Sequence, residues 1–381
     1  MRVSRLRLLL AVVAFLFVSL SIGHCQNLLK RWATTFETNA GVGYDSNILG
    51  SRANEVSDGF ALGSQSMRIA RHNSLTSLNF DANIAKTHYF SESDDSYVDG
   101  GIEINAAYPD TKVDVTFWDA GVFWNKVSQV NIDSGQRIQP SIYGGRLSGE
   151  WLYSPKTGIV GLIQTSTTDR SRDGYSTTRS RQFRVGTSHS WGPERRWSAE
   201  YGLRESETDS GAGSDSTHHY FGLRGRGSIS PKVKGDIFLG VRRSEFSGIR
   251  EFSDTGPNAS VDLTWNVSAQ LTAGLGFESE YEFTANGSVE LKTAAILKIK
   301  RELGRGLSFS TTLERGNSDY EFELRDDTRT DDFWRFSGNL EYSFTRRFFA
   351  RISANLLASD SSVAGYSLDR NSVTFSSGLR Y

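Results

Sequence analysis

The chain has 381 residues, a formal net charge of −1, 37 % hydrophobic and 12 % aromatic residues, 37 glycines and one cysteine. A near-neutral balance argues against a nucleic-acid partner, and a single cysteine excludes intramolecular disulfides. After the first 25 residues no stretch approaches 18 apolar residues, which excludes a membrane-crossing helix.

The N-terminus reads as a secretory signal over residues 1–25. Arg2, Arg5 and Arg7 form a basic start, and Leu8–Leu20 is an apolar run too short to span a bilayer comfortably. Cleavage after Gly23 and cleavage after Cys25 both satisfy the small-residue rule, and His24 argues against acylation of Cys25. Residues 26–33 are expected to form a short periplasmic segment, too short for a plug domain, and 34–381 a single barrel domain.

From Thr34 onward the chain repeats a long alternating run, a short turn and a second long run. Short turns fall at Asn73-Ser74, Pro109–Thr111, Ser154–Lys156, Gly192–Arg195, Ser230–Lys232, Ser268–Gln270, Gly304–Gly306 and Thr345–Arg347. Longer connections rich in Asp, Ser, Asn and Gly lie at Asp45–Asp58, Ser91–Ser96, Asn131–Arg137, Ser171–Gly174, Asp209–Ser216, Arg250–Asp254, Thr284–Gly287, Arg325–Asp332 and Asp360–Asp369. Eight short turns alternating with nine longer connections give about 18 strands. The expected fold is an all-β, antiparallel, up-and-down transmembrane β-barrel in the outer membrane of a Gram-negative bacterium, with periplasmic termini. Pro109, Pro155, Pro193 and Pro231 sit in turns and Pro140 and Pro257 near strand starts, so none interrupts a ladder mid-strand.

Within strands the faces separate. Ala259, Val261, Leu263, Trp265 and Val267 alternate with Asn258, Ser260, Asp262, Thr264 and Asn266. Period 2 with one charged face places lipid on one side and water on the other. A soluble sandwich is disfavoured because its strands average about 5–6 residues. Aromatic residues beside the short turns, Tyr108, Tyr153, Trp191, Trp197, Trp265, Phe344 and Phe348, are expected to form a membrane girdle, with the terminal Tyr381 on the apolar face of the last strand. Tyr44, Phe123, Tyr281 and Trp334 are expected in a second girdle at the other edge. Strand Val113–Trp124 resists, because Asp119 shares a face with Val113, Val115, Phe117 and Phe123; a bulge, a lumen-facing flip or a pairing error would each explain it. The aromatic-ended strand Val373–Tyr381 resembles the signal read by the barrel insertion machinery, an expected partner beside membrane lipid.

Barrels of this size leave an aqueous channel. No connection exceeds about 14 residues, so no long constriction loop is expected and selectivity falls to the wall. By parity Arg146, Arg184, Arg204, Arg224, Arg226 and Arg242 face inward as a basic wall, and Asp262, Glu278, Glu280, Glu314 and Glu341 as an acidic one. Two readings stand: a transverse field across the lumen, or local pairing with neighbours such as Glu150 and Glu200. Inward Tyr97, Tyr220, Phe238 and Phe349 could stack on sugar rings. His218-His219 is the best candidate for a rim hydrolase, although a solvated strand end explains it more simply. No metal-ligand spacing or phosphate loop is present, so neither cofactor nor metal is expected.

Gly41-Val42-Gly43-Tyr44-Asp45-Ser46-Asn47 resembles the opening strand of the putative β-barrel porin 2 family, in which an aromatic, an Asp, a short residue and an Asn close the first strand. The resemblance implies an outer-membrane barrel linked to exopolysaccharide systems, with polysaccharide as a partner. Asp45 and Asn47 are expected to turn the chain into the first outer connection. The reading is a porin-like channel for passive passage of polar solutes or export of exopolysaccharide, not an enzyme. A non-conducting assembly barrel and a rim hydrolase are the alternatives, and the solute and oligomeric state stay open.

Overall fold

The computed structural model describes residues 32–381 except 73–74, 109–115, 171–173, 193, 210–214, 248–250 and 322–328. The expected signal at 1–25, nearly all of segment 26–33 and the turns at Asn73-Ser74 and Pro109–Thr111 lie outside the described residues. The strands are β1 Ala33–Asp45, β2 Asp58–His72, β3 Ser77–Tyr89, β4 Tyr97–Tyr108, β5 Thr116–Lys126, β6 Gln129–Asn131, β7 Gln136–Ile138, β8 Ser141–Leu152, β9 Thr157–Asp169 and β10 Thr178–Gly192. They continue as β11 Arg195–Thr208, β12 Asp215–Ser230, β13 Val233–Ser247, β14 Phe252–Ser268, β15 Leu271–Phe283, β16 Val289–Gly304, β17 Leu307–Glu321, β18 Arg329–Ser343, β19 Phe348–Ser361 and β20 Leu368–Arg380.

Eighteen of these strands form one antiparallel sheet, and β6–β7 is a separate two-stranded hairpin. Each barrel strand pairs with its sequence neighbour, β5 with β8 across the hairpin, and β1 pairs with both β2 and β20. The sheet is therefore a closed barrel with no free edge at the chain ends. At that seam Glu37 pairs with Arg380 at 2.8 Å, and the backbone N–H groups of Phe36 and Tyr381 donate to each other's carbonyls at 3.0 and 2.8 Å.

The short turns owe their tightness to hydroxyls. Ser154, Ser230 and Thr345 accept from backbone N–H groups three residues on, at 3.0, 3.2 and 2.9 Å, the local bond that makes Ser and Thr turn formers. The Gly304-Arg305-Gly306 turn instead runs through three left-handed residues, two of them glycine. At the other end the strands extend beyond the expected boundaries, and Asp254, Asp331 and Asp369 lie within β14, β18 and β20. Polar residues there continue the ladder into water, which a hydrophobic pattern does not reveal.

Two departures shape the interior. First, residues 127–140, between β5 and β8, do not stand above the rim. They fold back as the β6–β7 hairpin, whose Val130 and Ile132 pack against inward-facing Ala294 of β16, Phe333 of β18 and Leu368 of β20. No long constriction loop is expected from the sequence, and a short connection narrows the interior in its place. The turn is built by Asn131, whose side chain accepts from Ser134 N–H at 2.8 Å, and by Gly135 at φ 60°.

Second, β14 and β15 pair only from Ser260/Glu278 to Ser268/Leu271, while β15 and β16 pair up to Phe283/Val289. The upper end of β15 thus leaves β14 and bends into the mouth. Tyr281, on the face that carries lipid-exposed Leu275 lower down, packs on inward-facing His218 and Phe246 at 5.9 and 5.1 Å between ring centroids. The expected place of Tyr281 in the second girdle is therefore corrected. Pro257 sits in the stretch of β14 that has β13 alone as a neighbour, where a missing N–H interrupts no second ladder.

The resistant strand is settled by a lumen-facing flip. Trp118, Val122 and Trp124 are exposed on the outer face, Asp119 bonds with Arg146 at 3.4 Å, and Arg196 lies over Phe117 at 5.7 Å. By the same parity Phe123 faces inward, near Gly144, and leaves the second girdle.

Candidate functional site

The outer surface carries a continuous apolar belt, including Val42, Ile84, Ile163, Val185, Leu223, Leu239, Leu275, Ile352 and Phe375. Tyr153, Trp191, Trp197, Trp265, Phe344 and Tyr381 are all exposed beside the short-turn end, Trp191 most of all at 76 %. In water such a surface would aggregate. In lipid it is what a closed barrel requires.

The inner face is polar, and its charges meet partners. Arg146 bonds with Asp119 at 3.4 Å, Arg184 with Glu200 at 3.3 Å, and Arg224 with Glu200 at 3.3 Å and Asp236 at 2.9 Å. Arg226 reaches Asp236 at 2.9 Å, Arg242 reaches Asp254 at 4.0 Å, and Arg204 pairs directly with Glu280. On the acidic side Glu278 meets Lys292 at 3.5 Å, Glu314 meets Lys292 at 3.0 Å and Arg335 at 3.4 Å, and Glu341 meets Arg351 at 2.6 Å. Asp262 stands opposite Asp236 in the β13–β14 register. Sequence reasoning missed the counter-charges Lys292, Arg335, Arg351 and Arg380, although the same parity places them inward.

Three of the four candidate sugar platforms are covered by cations. Arg137 lies 5.0 Å over Tyr97, Arg224 5.4 Å over Phe238, and Arg351 5.0 Å over Phe349. His218 and His219 face opposite sides of the wall. His218 bonds to buried Ser244 at 2.8 Å inside, and His219 to Tyr201 at 2.8 Å outside, so they form no joint site. Among the described residues no cluster of three or more His, Cys, Asp or Glu could hold a metal.

The mouth at the long-connection end is where the buried groups gather. Asp45, 1 % exposed, accepts from Asn47 N–H at 3.1 Å, from Arg370 at 2.7 Å, from Arg137 of the hairpin at 3.2 Å and from Tyr89 at 3.2 Å. Asn47 in turn fixes Ser51 through bonds of 2.8 and 2.9 Å. The first-strand motif thus turns the chain, and it also ties the β1–β20 seam to the hairpin. Ile48 is fully buried against Phe60 and Tyr89, so this connection folds inward too.

On the hairpin's far side the Asp133 carboxylate accepts from Ala285 N–H at 3.1 Å and lies 3.8 Å from Arg329, which Asp331 also holds at 2.8 Å. Arg52 donates to the Ile132 carbonyl at 2.6 Å, and Arg52 and Arg329 both lie 4.2 Å from the Tyr366 ring. Burial, opposed by Arg329, holds the Asp133 pKa above the ordinary carboxylate range. Burial and the neighbouring Arg329 charge lower that of Arg52. Tyr175 donates to Gln136 at 2.9 Å, and Ser176 N–H to Ala285 at 3.1 Å. Five connections therefore meet inside the mouth.

A closed 18-stranded barrel with an apolar outer belt and a charged inner face is a transmembrane β-barrel of porin type. Residues 210–381 match the model of the family described as Putative beta-barrel porin 2. This is the family that Tyr44, Asp45 and Asn47 resemble, and the match falls on a different part of the chain. The resemblance is thereby borne out. Among solved structures the chain is similar to OccAB4 of Acinetobacter baumannii, at 12 % identity over 91 % of this chain and 98 % of that one, TM-score 0.45. It is also similar to OccK2 (OpdF) of Pseudomonas aeruginosa, at 13 % identity over 92 % and 98 %, TM-score 0.46. No curated protein matches the chain.

Proposed function

We propose that this protein is an outer-membrane channel of a Gram-negative cell, passing small polar solutes through a lumen whose extracellular mouth is narrowed by the β6–β7 hairpin. The observation that supports it is the inner face, lined by ionised side chains from β8 to β20, which require water beside them. The short turns and both termini are then periplasmic, the exposed aromatic residues near those turns form the periplasmic girdle, and residues 1–25 are the export signal.

The occupied mouth favours a second reading, a barrel that conducts little until a partner displaces the hairpin. Exopolysaccharide export, which the family likeness suggests, would need such a displacement to pass a chain. Single-channel recording of the refolded protein decides between these. A stable current supports the open channel. A folded barrel that is silent, but conducts once Gln129–Ile138 is replaced by a short glycine linker, supports the gated one. Silence in both forms refutes the channel.

A further inference from the structure

The hairpin does not fill the lumen. Between it and the inner face of β17–β20 lies a cavity of about 430 Å³. Its polar, uncharged lining is Ser128 and Gln129 from the hairpin side and Thr312, Ser337, Asn355 and Ser372 from the wall. The charges that also reach it are engaged: Arg335 with Glu314 at 3.4 Å, Glu314 with Lys292 at 3.0 Å, and Arg370 with Asp45 at 2.7 Å.

A second cavity, of about 480 Å³, lies toward the short-turn end against the same sector, lined in part by Ser308, Ser310, Asn339 and Ser343. Its lining also carries five charges, which pair among themselves: Glu341 with Arg351 at 2.6 Å and with Arg380 at 3.4 Å, and Lys300 with Glu302 at 4.0 Å. Between the two cavities β18 and β19 carry register neighbours of the same uncharged, polar kind. Ser337 donates to Asn355 at 2.9 Å, and one step on Ser353 donates to Asn339 at 2.7 Å. Asn355 in turn donates to Ser372 at 3.5 Å.

We infer that this sector is the permeation path and that it selects uncharged polyhydroxylated solutes, resting on the channel reading above. An ion entering the gap must shed water where the charges that line it, Glu314, Arg335 and Arg370, already have partners, so desolvation is not repaid. A neutral polyol exchanges its water hydrogen bonds for those of Ser, Thr, Asn and Gln nearly one for one. Hydroxyls and amides both donate and accept, so they follow a sliding hydroxylated chain without fixing its register.

The test uses the full refolded chain in proteoliposomes in excess KCl, with tracer sorbitol, gluconate and N-methylglucamine, which share a six-carbon skeleton and differ in charge. Sorbitol is expected to enter several-fold faster than either ion. Asn355→Asp places an unpaired carboxylate in the gap. It is expected to slow sorbitol and gluconate and to raise N-methylglucamine, while Asn258→Asp on the inner face of β14 leaves the order unchanged. Gluconate outrunning sorbitol, or an order insensitive to Asn355→Asp, overturns the inference while a KCl current keeps the channel. Neither current nor uptake, in a barrel that shows the heat-dependent gel shift of a folded protein, refutes the channel and the path together.

Discussion

Removing the Asp45 carboxylate tests whether the mouth is held by charge. In Asp45→Ala the Arg137 and Arg370 side chains, only 10 % and 22 % exposed, lose their common partner, and Tyr89 loses its acceptor. Taking one member from a buried ion pair costs about 3–5 kcal/mol, chiefly because the other charge stays buried. Arg137 belongs to the hairpin and can regain water by undocking, whereas Arg370 sits on β20 and cannot leave. The hairpin is the element that should yield. At the lower figure the ratio of docked to undocked hairpin falls by about a hundredfold, enough to turn rare openings into frequent ones. The assay is single-channel recording, with the folded state checked by the heat-dependent gel shift. Asp45→Ala should lengthen or multiply the larger-conductance openings, and the added change Arg137→Met, which removes the stranded charge, should restore much of the closed time. A folded Asp45→Ala barrel with wild-type conductance and open probability would refute the argument.

Three further outcomes follow from the same geometry. Asp133 faces Arg52 from the first connection, Arg329 and Asp331 from β18, Glu290 from β16 and Arg170 from the connection after β9. Its pKa is raised in the docked state, so its contribution to docking is fully present below the undocked value of about 4 and is lost as pH rises through the docked one. Acidification toward pH 4 should therefore reduce the current, and Asp133→Asn, neutral at every pH, should abolish that dependence and show the reduced current already at neutral pH; a current that grows on acidification contradicts the assignment. Glu200→Gln leaves Arg184 without its carboxylate while Arg224 keeps Asp236, on a part of the wall that lines neither cavity of the inferred path, so the reversal potential in a KCl gradient should stay where it is; a shift toward anion preference means that the β10–β14 wall also faces the conducting path. A Cβ on Gly41 would run into the backbone carbonyl of Phe375 across the β1–β20 seam. Gly41→Val should lower the temperature of the gel shift, with overpacking of this kind costing about 1–3 kcal/mol, while Gly63→Val, which meets open space, should not.

The barrel was legible because its signal is local and repeated. Each strand carries its own alternation and each short turn its own hydroxyl or glycine, so a boundary misjudged in one hairpin leaves the next intact. The wall arginines are assigned a face in the same way, by parity alone. Their partners are only half legible: parity puts Arg204 and Glu280 on opposite walls, and the structure pairs them. Parity says which way a side chain points and nothing about how far a curved, indented sheet lets it reach.

The mouth was not legible, and the reason is physical. Gln129-Val130-Asn131-Ile132 alternates as a strand does, and Gln129–Asn131 is one, but its partner is β7 and its apolar side faces the lumen instead of lipid. What decides between those environments is a set of contacts distant in sequence: Val130 with Phe333, Asp133 with Ala285, Arg137 with Asp45. None leaves a periodic trace. The same holds for Tyr281, whose alternation with Leu275 and Phe277 assigns it to lipid until β15 parts from β14 above Glu278 and carries that face inward. A wall that only has to satisfy its backbone in lipid can be built from a repeating pattern. Its mouth must hold polar connections against one another inside the barrel, and does so with single residues such as Asp45, bonded to several elements at once. Residues of that kind separate a barrel that stands open from one that can close, and for that reason Asp45, Asp133 and Asn355 are the positions at which change in sequence should alter conduction without altering the fold.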